Sequence, residues 1–280
     1  MIREFDVKLL TASVERMCGE NACDLPDDVE EAIVNALSCE DGRHAKSLLS
    51  DLLENANVAR NKRIPLCQDT GLAVVFLDVG RDVHFSGDPY EAINEGIRLG
   101  YQRYRLRMSV VGDPLRRVNT GDNTPAITTI RLVPGDRVTI TLLSKGFGSE
   151  NMSRLAMLRP ADGIEGVQAF VLETVKLAGP NACPPLVVGV GIGGTFDHVA
   201  FLAKKALARP IGVRHSDPFY ADFEETLLTK INQLGIGPQG FGGHTTALSV
   251  AVNIAPTHIA GLPVACNLNC HSTRHRQEVL

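Results

Sequence analysis

The sequence contains no tryptophan, and aromatic residues make up only 5% of its 280 positions. Proteins that bind single-stranded nucleic acid stack bases on aromatic side chains, so this scarcity argues against that function. An excess of basic residues is also lacking, because 28 lysines and arginines are offset by 32 acidic residues, for a net charge of -4. We therefore expect no nucleic-acid partner and no attraction to an anionic membrane surface.

Long hydrophobic runs are missing as well. The longest, such as Gly71–Val79 and Leu186–Ile192, are far shorter than the roughly 20 apolar residues that a membrane-spanning helix needs. Residues 1–6 are charged and lead directly into a helical pattern, so we expect no signal peptide. These features predict a cytoplasmic protein whose thiols remain reduced.

What is present is typical of a globular protein, with 44% hydrophobic and 21% charged residues. Apolar residues at three- and four-residue spacing predict helices at Val7–Met17, Val29–Leu37, His44–Arg60, Tyr90–Arg103, Gly163–Leu177, Thr195–Leu207 and Asp217–Leu234. Apolar and β-branched runs predict strands at Gly71–Val79, Thr128–Leu132, Arg137–Leu143, Pro185–Gly191, Thr245–Ile254 and Ile259–Cys266.

These elements predict a mixed α/β fold. A helical N-terminal layer, about residues 1–62, would precede mixed β-sheets flanked by helices over about residues 63–280, all in a single domain spanning residues 1–280. The segments Thr128–Leu132 and Arg137–Leu143, joined by a Pro-Gly-Asp turn, are predicted to pair as a hairpin.

Several polar, glycine-rich segments fall between the predicted elements. They are Cys67–Gly71, Asn119–Pro125, Lys145–Asn151, Asn181–Pro185, Gly191–Thr195, Gly235–Gly243 and Cys266–His271. Loops on a rigid scaffold commonly carry function, and glycine lets the backbone approach a ligand closely. We therefore expect the functional residues in these loops.

One of these regions, Gly189–Gly194, matches the spacing of a dinucleotide-binding loop between a strand and a helix. The acidic residue that should follow about 20 positions later, at the end of a second strand, is missing. Pro210–Asp217 occupies that place and indicates a turn leading into a helix. The pattern favours close approach of the backbone to a group bound beside Cys183 over a dinucleotide site.

The seven cysteines fall into two sets. Three lie in or beside the N-terminal helices, where we expect small buried apolar side chains or incidental thiols: Cys18, Cys23 and Cys39. Four lie at element boundaries among the polar loops: Cys67, Cys183, Cys266 and Cys270. A cysteine followed by proline, as in Cys183–Pro184, recurs at iron–sulfur ligands, and the spacing of Cys266 and Cys270 suits a metal. Spacing alone leaves metal, cluster and catalytic roles open.

Five segments, taken in order, resemble the iron–sulfur hydro-lyases, which comprise the class I fumarate hydratases and the L-tartrate dehydratases. The segments are Pro65–Gly71, Lys145–Asn151, Ala182–Pro185, Gly235–Gly240 and Thr257–Pro263. The resemblance covers about residues 10–276. It is to the N-terminal domain of the single-chain enzymes, or to the α chain where the enzyme is divided into two subunits.

The resemblance implies an oxygen-sensitive [4Fe-4S] cluster held by Cys67, Cys183 and Cys270, with one iron open to substrate. Cys266 stands where the family does not require cysteine, so we interpret it as a bystander. An open iron is a Lewis acid that makes hydroxide a better leaving group, whereas a cluster with four protein ligands could only carry electrons.

The resemblance also implies the residues that contact substrate, namely Gln68, Asp69, Arg107, Gly148 and His258. Asp69 corresponds to the family's proposed catalytic base. The alternative is a purely structural role, in which its side chain caps a turn or a helix. Arg107 would pair with a substrate carboxylate, and a shifted alignment would choose Arg105 instead. Gly148 would offer a main-chain N–H, and His258 could be a substrate ligand or a structural donor.

We expect the α subunit of a class I fumarate hydratase, which hydrates fumarate reversibly to (S)-malate. A separate β subunit would complete the active site for the small dicarboxylate, within a higher-order heteromer or homo-oligomer. An L-tartrate dehydratase α subunit is the close alternative, although Lys145–Ser153 lacks the cysteine expected of that branch. Two functions of different classes also stay open, a non-enzymatic, cluster-binding redox sensor and a nucleotide-dependent oxidoreductase.

Overall fold

The structure is a computed structural model of the protein and describes residues 2–280. Contacts divide the chain into two compact units. The first unit contains the chain up to Pro26 together with Ala56–Phe147 and Arg274–Leu280. The second unit contains Asp27–Asn55 and Gly148–Thr273. The helices expected over residues 1–62 are therefore divided between the two units.

Helices and strands are interspersed along the chain, and the predicted mixed α/β class is confirmed. The helices are α1 Lys8–Cys23, α2 Asp27–Cys39, α3 Arg43–Lys62, α4 Pro89–Arg103, α5 Phe147–Glu150, α6 Gly163–Ala178, α7 Phe196–Ala206 and α8 Pro218–Asn232. The strands are β1 Arg3–Phe5, β2 Leu72–Gly80, β3 Val83–Phe85, β4 Ile127–Val133, β5 Val138–Lys145, β6 Arg154–Leu158, β7 Leu186–Gly193, β8 Ala247–Ala255, β9 Leu262–Asn269 and β10 His275–Val279. None of the helices in residues 2–280 has the length and apolar character needed to cross a bilayer.

Two of the helices begin at the same local signal, an aspartate followed by proline. The side chain of Asp88 accepts a hydrogen bond from the Tyr90 N–H over 2.8 Å at the start of α4. Asp217 accepts one from the Phe219 N–H over 3.0 Å at the start of α8. In each case the aspartate satisfies a donor that the helix cannot, and the proline has the required backbone angle.

The first unit is built on a four-stranded sheet with the order β10-β5-β2-β4. Strand β2 runs parallel to β4 and antiparallel to β5, and β10 is antiparallel to β5. Helices α1 and α4 pack together, and their apolar side chains share one core with those of β2 and β5. A Cβ on Gly100 of α4 would lie only 2.7 Å from the Cβ of Cys18 on α1, so glycine permits the close contact of these helices.

The hairpin predicted for Thr128–Leu132 and Arg137–Leu143 is wrong. Strand β2 lies between β4 and β5, so the two consecutive strands do not pair with each other. Their connection crosses the end of β2, where the Gly80 N–H donates to the Arg137 carbonyl over 2.8 Å. A Cβ on Gly80 would lie 2.3 Å from the Gly135 carbonyl oxygen, so this crossing requires glycine. The Pro-Gly-Asp turn does connect β4 to β5, but both strands pair with β2 instead of with each other.

The second unit contains a four-stranded sheet with the order β6-β9-β7-β8, in which β7 is parallel to β8 and antiparallel to β9. One face of β7, including Val188 and Val190, shares a core with α6 and α8. On the other face, Cβ atoms on Gly189 and Gly191 would lie 2.3 and 2.2 Å from carbonyl oxygens of α7. These glycines therefore allow close packing of β7 against helix α7, and approach of the segment to a group bound beside Cys183 stays a prediction.

Candidate active site

The loop Cys67–Gly71 joins α3 to β2 in the first unit and is fixed by its own polar groups. The main-chain N–H of Asp69 donates to the Cys67 sulfur over 3.4 Å. Asp69 Oδ1 accepts from the Gly71 N–H over 3.0 Å, and Oδ2 accepts from the Phe147 N–H over 2.9 Å. The carboxylate is half-buried, and each oxygen retains one lone pair for a further partner. Gln68 is exposed between the two anchored residues.

The segment that carries Arg107 is bound to this loop. The Thr70 hydroxyl donates to the Arg107 carbonyl over 2.9 Å. The Tyr101 hydroxyl donates to the carbonyls of Thr70 and Gly71 over 3.0 and 2.8 Å. Burial raises the pKa of Tyr101, which keeps this hydroxyl protonated and able to donate. The backbone of Arg107 is therefore hydrogen-bonded to the Cys67–Gly71 loop, whereas its side chain is exposed.

Arg274 is a cationic side chain beside the loop that the sequence analysis did not identify. It is only 1% exposed, and its Nη2 donates to the Asp69 carbonyl over 2.9 Å. Its Nε and Nη1 are buried and have no hydrogen-bond partner among the described residues. A buried guanidinium favours nearby negative charge, so Arg274 supplies positive potential next to Asp69.

A second buried cation, Lys145, lies at the end of β5. The side chain is 1% exposed, and its Nζ donates to the Gly146 carbonyl over 3.0 Å. Gly146 leaves room for Asp69, since a Cβ there would lie 3.2 Å from Asp69 Oδ2. A lysine or arginine at a strand end usually indicates a solvated surface, which is why sequence reasoning did not separate these two from the other cations.

In the second unit, Cys183 and Cys270 lie close to each other. Cys183 ends a short 3-10 turn before β7 with φ 52° and ψ 65°, a left-handed conformation that is uncommon for cysteine. The main-chain N–H of His271, the residue after Cys270, donates to the Cys183 carbonyl over 3.3 Å. The Cys270 sulfur is 3.2 Å from the Ser272 hydroxyl. Both thiols thus occupy fixed loop positions outside the strands.

The motif Gly235–Gly240 supports the backbone that follows Cys183. The main-chain N–H and the side-chain Nε2 of Gln239 both donate to the Pro184 carbonyl, over 2.7 and 2.8 Å. Gln239 adopts φ 54°, which turns its backbone toward this carbonyl. The motif therefore has an identifiable structural role next to Cys183.

Gly148 and His258 are both exposed and belong to the second unit. A Cβ on Gly148 would lie 3.8 Å from the Asn181 carbonyl oxygen, so this glycine is near the turn that ends at Cys183. His258 lies in the turn between β8 and β9, and its Nδ1 accepts from the Ala260 N–H over 3.2 Å. This bond leaves the proton of a neutral ring on Nε2, which can donate to a ligand.

Exposure separates the seven free cysteines into accessible and inaccessible thiols. Burial raises the pKa of Cys18 and Cys266 to about 12, and it also raises the pKa of Cys23. The expected cluster ligands are all accessible, with Cys183 exposed and Cys67 and Cys270 partly exposed. Because thiolates bind metal, accessible sulfur atoms at loop positions suit a cluster, whereas Cys266 remains a buried thiol.

Comparison with known proteins shows which family the chain belongs to. The sequence model of the family described as "Fumarate hydratase (Fumerase)" matches residues 11–279. A protein of Methanocaldococcus jannaschii named "Putative L(+)-tartrate dehydratase subunit alpha" is 46% identical over 268 residues, covering 93% of this chain and 94% of that protein. The "L(+)-tartrate dehydratase subunit alpha" of Escherichia coli K12 is 32% identical over 272 residues, covering 96% of this chain and 89% of that protein.

The extent of these matches defines the class of protein. The chain belongs to the fumarate hydratase family, whose members are hydro-lyases. The family resemblance found in the sequence is therefore confirmed.

Proposed function

We propose that the chain is the α subunit of an iron–sulfur hydro-lyase that interconverts fumarate and (S)-malate. The observation that carries this proposal is the bonded pair formed by the Cys67–Gly71 loop and the Arg107 segment, joined by the Thr70 hydroxyl. It couples an expected cluster ligand, a half-buried carboxylate and an exposed guanidinium within one unit. These are the groups that elimination of water from a 2-hydroxy dicarboxylate requires.

Cys67, Cys183 and Cys270 are the proposed ligands of a [4Fe-4S] cluster. Their accessible positions support this assignment, as do the hydrogen bonds that reach the sulfur atoms of Cys67 and Cys270. Such a cluster, with one iron free of protein ligands, supplies a Lewis acid for the substrate hydroxyl and carboxylate.

The protein's own residues bind the substrate and move its proton. Arg107 pairs with one carboxylate of the dicarboxylate through two parallel hydrogen bonds. Asp69, oriented by the N–H groups of Gly71 and Phe147, accepts the proton from the carbon next to a carboxylate during dehydration and returns it during hydration. Gln68 and the Gly148 N–H orient the substrate, and His258 donates through Nε2.

A separate β subunit is proposed to complete the active site. The supporting observation is that the relatives are named as alpha subunits and align along nearly their whole lengths, 94% and 89%. The reduced thiols that this chemistry needs agree with the cytoplasmic location expected from the sequence.

Tartrate is the second candidate substrate, because both relatives described above carry the name L(+)-tartrate dehydratase. Fumarate and malate take precedence because Lys145–Ser153 contains no cysteine, which is the feature expected of the fumarase branch.

The test compares the two substrates under anaerobic conditions. The chain is produced together with its β subunit, reconstituted with iron and sulfide, and assayed for kcat/KM with malate, fumarate and L-tartrate. We expect turnover of fumarate and malate that exceeds turnover of tartrate at least tenfold. A higher kcat/KM with L-tartrate than with malate or fumarate would contradict the assignment of fumarate and malate as the substrates.

Spectroscopy distinguishes a hydro-lyase from a redox sensor. The electron paramagnetic resonance signal of the reduced, reconstituted complex should change when malate is added, because substrate meets the cluster directly. A signal that is indifferent to malate and tartrate, in a complex that turns over neither, would contradict the hydro-lyase assignment itself.

A further inference from the structure

The polar segment Asn119–Pro125 has no part in the chemistry proposed above, yet one of its residues is completely buried. Asn123 is 0% exposed, although asparagine is usually found at the surface. Its backbone has φ 62°, in the left-handed region that asparagine tolerates better than most residues. A buried amide must find hydrogen-bond partners, so the identity of those partners indicates its role.

The Asn123 side chain connects two halves of the proposed substrate site, namely the segment that carries Arg107 and the Cys67–Gly71 loop. Its Oδ1 accepts from the main-chain N–H groups of Ser109 and Val110, over 2.7 and 3.2 Å. Its Nδ2 donates to the Gly71 carbonyl over 3.3 Å. Ser109 and Val110 closely follow Arg107, and Gly71 ends the loop that carries Asp69.

Few other side chains could make this connection. Aspartate supplies the acceptor but not the donor, and its charge would face the Gly71 carbonyl. Glycine fits the positive φ but has no amide side chain. Asparagine has an oxygen that can accept both hydrogen bonds and an NH₂ group that can donate the third, and it tolerates this backbone conformation.

The segment around Asn123 is itself held in place. The Asn119 Nδ2 donates to the Met108 carbonyl over 3.0 Å, next to Arg107. Asp122 accepts from the main-chain N–H of Thr124 over 3.0 Å and from the Arg98 Nε over 3.2 Å. Asn123 is thus presented from a fixed segment, and its amide can impose a position on the Arg107 segment.

We propose that Asn123 is a positioning residue that sets the spacing between Arg107 and the Cys67–Gly71 loop, so that the Arg107 guanidinium reaches a substrate carboxylate. The inference rests on the proposed function, because it gives Arg107 the carboxylate-binding role. Asn123 acts through Arg107 and does not touch the reacting atoms.

The first test measures the structural link directly, by amide hydrogen exchange of the full-length chain. In Asn123→Gly, which keeps the backbone conformation accessible, we expect the amides of Ser109 and Val110 to exchange about tenfold faster. Asn123→Asp retains the acceptor and should preserve most of the protection. Asn94→Ala is the matched control, because the Asn94 amide accepts from the Ala126 N–H over 2.9 Å and touches neither half of the site.

The second test is kinetic and uses the reconstituted complex with its β subunit. Loss of Asn123 should weaken binding of a carboxylate that does not react, so Asn123→Gly should raise KM about tenfold and change kcat less than about threefold. In an Arg107→Ala background the same substitution should change KM no further, because the residue through which it acts is gone.

The outcomes separate this inference from the proposed function. Unchanged exchange at Ser109 and Val110 in Asn123→Gly overturns the inference, as does a KM effect that persists undiminished without Arg107. Equal KM increases in Asn123→Gly and Asn94→Ala also overturn it, since they indicate a general loss of stability. A wild-type complex that turns over no 2-hydroxy dicarboxylate contradicts the proposed function, while the exchange experiment still decides whether Asn123 fixes the Arg107 segment.

Discussion

The carboxylate of Asp69 accepts a hydrogen bond from the main-chain N–H of Phe147, with 2.9 Å between Oδ2 and N. Phe147 is the first residue of α5, whose early N–H groups have no partner within the helix. The other oxygen, Oδ1, accepts from the Gly71 N–H. Asp69 therefore has a structural role in addition to the proton transfer proposed for it, since it ties the loop after Cys67 to the residues after β5.

This dual role predicts that Asp69→Asn lowers stability as well as turnover. An amide can accept on only one of the two positions, so its NH₂ group would face an N–H donor of Gly71 or Phe147. We expect the free energy of unfolding to fall by about 1–3 kcal/mol, measured by chemical denaturation of the isolated chain.

Asp113→Asn is the control for this substitution. Asp113 uses a single oxygen, Oδ1, to accept from the N–H groups of Leu115 and Arg116, and asparagine can keep both bonds. Its stability should remain within about 0.5 kcal/mol of the wild type. Equal stability of Asp69→Asn and wild type would show that the two hydrogen bonds of Asp69 do not support the loop.

Differences among the thiols predict a pattern of alkylation. In the folded, cluster-free chain at about pH 8, iodoacetamide should modify Cys39, Cys67, Cys183 and Cys270 and leave Cys18 and Cys266 unmodified. The pKa of about 12 at the two buried cysteines keeps them protonated at this pH, and their thiolates become abundant only near that value. Peptide mass spectrometry reads each site, and all seven should react after unfolding.

Cluster reconstitution gives this experiment a second arm. Bound cluster should protect Cys67, Cys183 and Cys270 and leave Cys39 reactive. Substitution of Cys266 by serine should leave that pattern and the iron content unchanged. Protection that depends on Cys266 and is indifferent to Cys270 would contradict the ligand assignment.

The ion pair between Lys204 of α7 and Glu150 of α5 predicts a strong effect of removing one partner. Both side chains are mostly buried, and the second oxygen of Glu150 accepts from Asn267 over 3.1 Å. Glu150→Gln leaves the Lys204 ammonium without its counter-charge, so the free energy of unfolding should fall by about 1–3 kcal/mol. The double variant Glu150→Gln/Lys204→Met should recover most of the loss, as measured by urea denaturation. Equal stabilities of the single and double variants would contradict this account.

The same pair predicts a pH dependence. Burial lowers the pKa of Lys204 below its ordinary value of 10.5, and Glu150 opposes that shift only in part. The folded chain then releases this proton at lower pH than the unfolded chain, so the Lys204 contribution to stability rises with pH over the alkaline range up to that value. Lys204→Met should remove this slope, which is measured by comparing denaturation of the two proteins at about pH 7 and about pH 9.5. If stability changes equally with pH in the wild type and in Lys204→Met, Lys204 is not the group responsible for the slope.

The crossing of β2 by the connection between β4 and β5 predicts that Gly80→Ala is destabilising. The added Cβ meets backbone atoms, with the Gly135 oxygen at 2.3 Å and the Asp136 nitrogen at 2.7 Å, and backbone yields less readily than a side chain. A loss of about 1–3 kcal/mol is expected in chemical denaturation. Gly112→Ala is the control, because its Cβ would meet only ordinary contacts at 3.7 and 3.9 Å. Similar stabilities of the two variants would show that the crossing is not tightly packed.

Patterns that are local in the chain predicted local structure well. The helix expected over Thr195–Leu207 is α7, and the apolar run Gly71–Val79 corresponds to β2. Both depend on periodicity within a short window. Pairing is different, because the turn residues between β4 and β5 are compatible with a hairpin and nothing local indicates that β2 is inserted between them. The short strand β10 was missed because it has few apolar residues and pairs with β5 from far along the chain.

The same distinction applies to the site. Cys67 and Asp69 could be chosen because they lie in a segment, Pro65–Gly71, that resembles the family, and Arg107 because the resemblance covers its position. Asn123 and Arg274 could not be assigned a role, since each acts on a backbone group that only the folded chain brings near. Burial is what distinguishes Arg274 from the exposed arginines, and burial of an arginine is not visible in a sequence.

The position of β2 in its sheet has a consequence for synthesis of the chain. This central strand leaves the ribosome before β4, β5 and β10, the strands that complete its sheet. Until β4 and β5 follow, its continuous apolar run presents two unpaired edges, which are prone to associate with other chains. Strand β5 then keeps one unpaired edge until residues 275–279 are made, so the sheet of the nascent protein stays incomplete for much of its synthesis. Chaperones that bind unfolded chains should therefore improve the yield of folded protein.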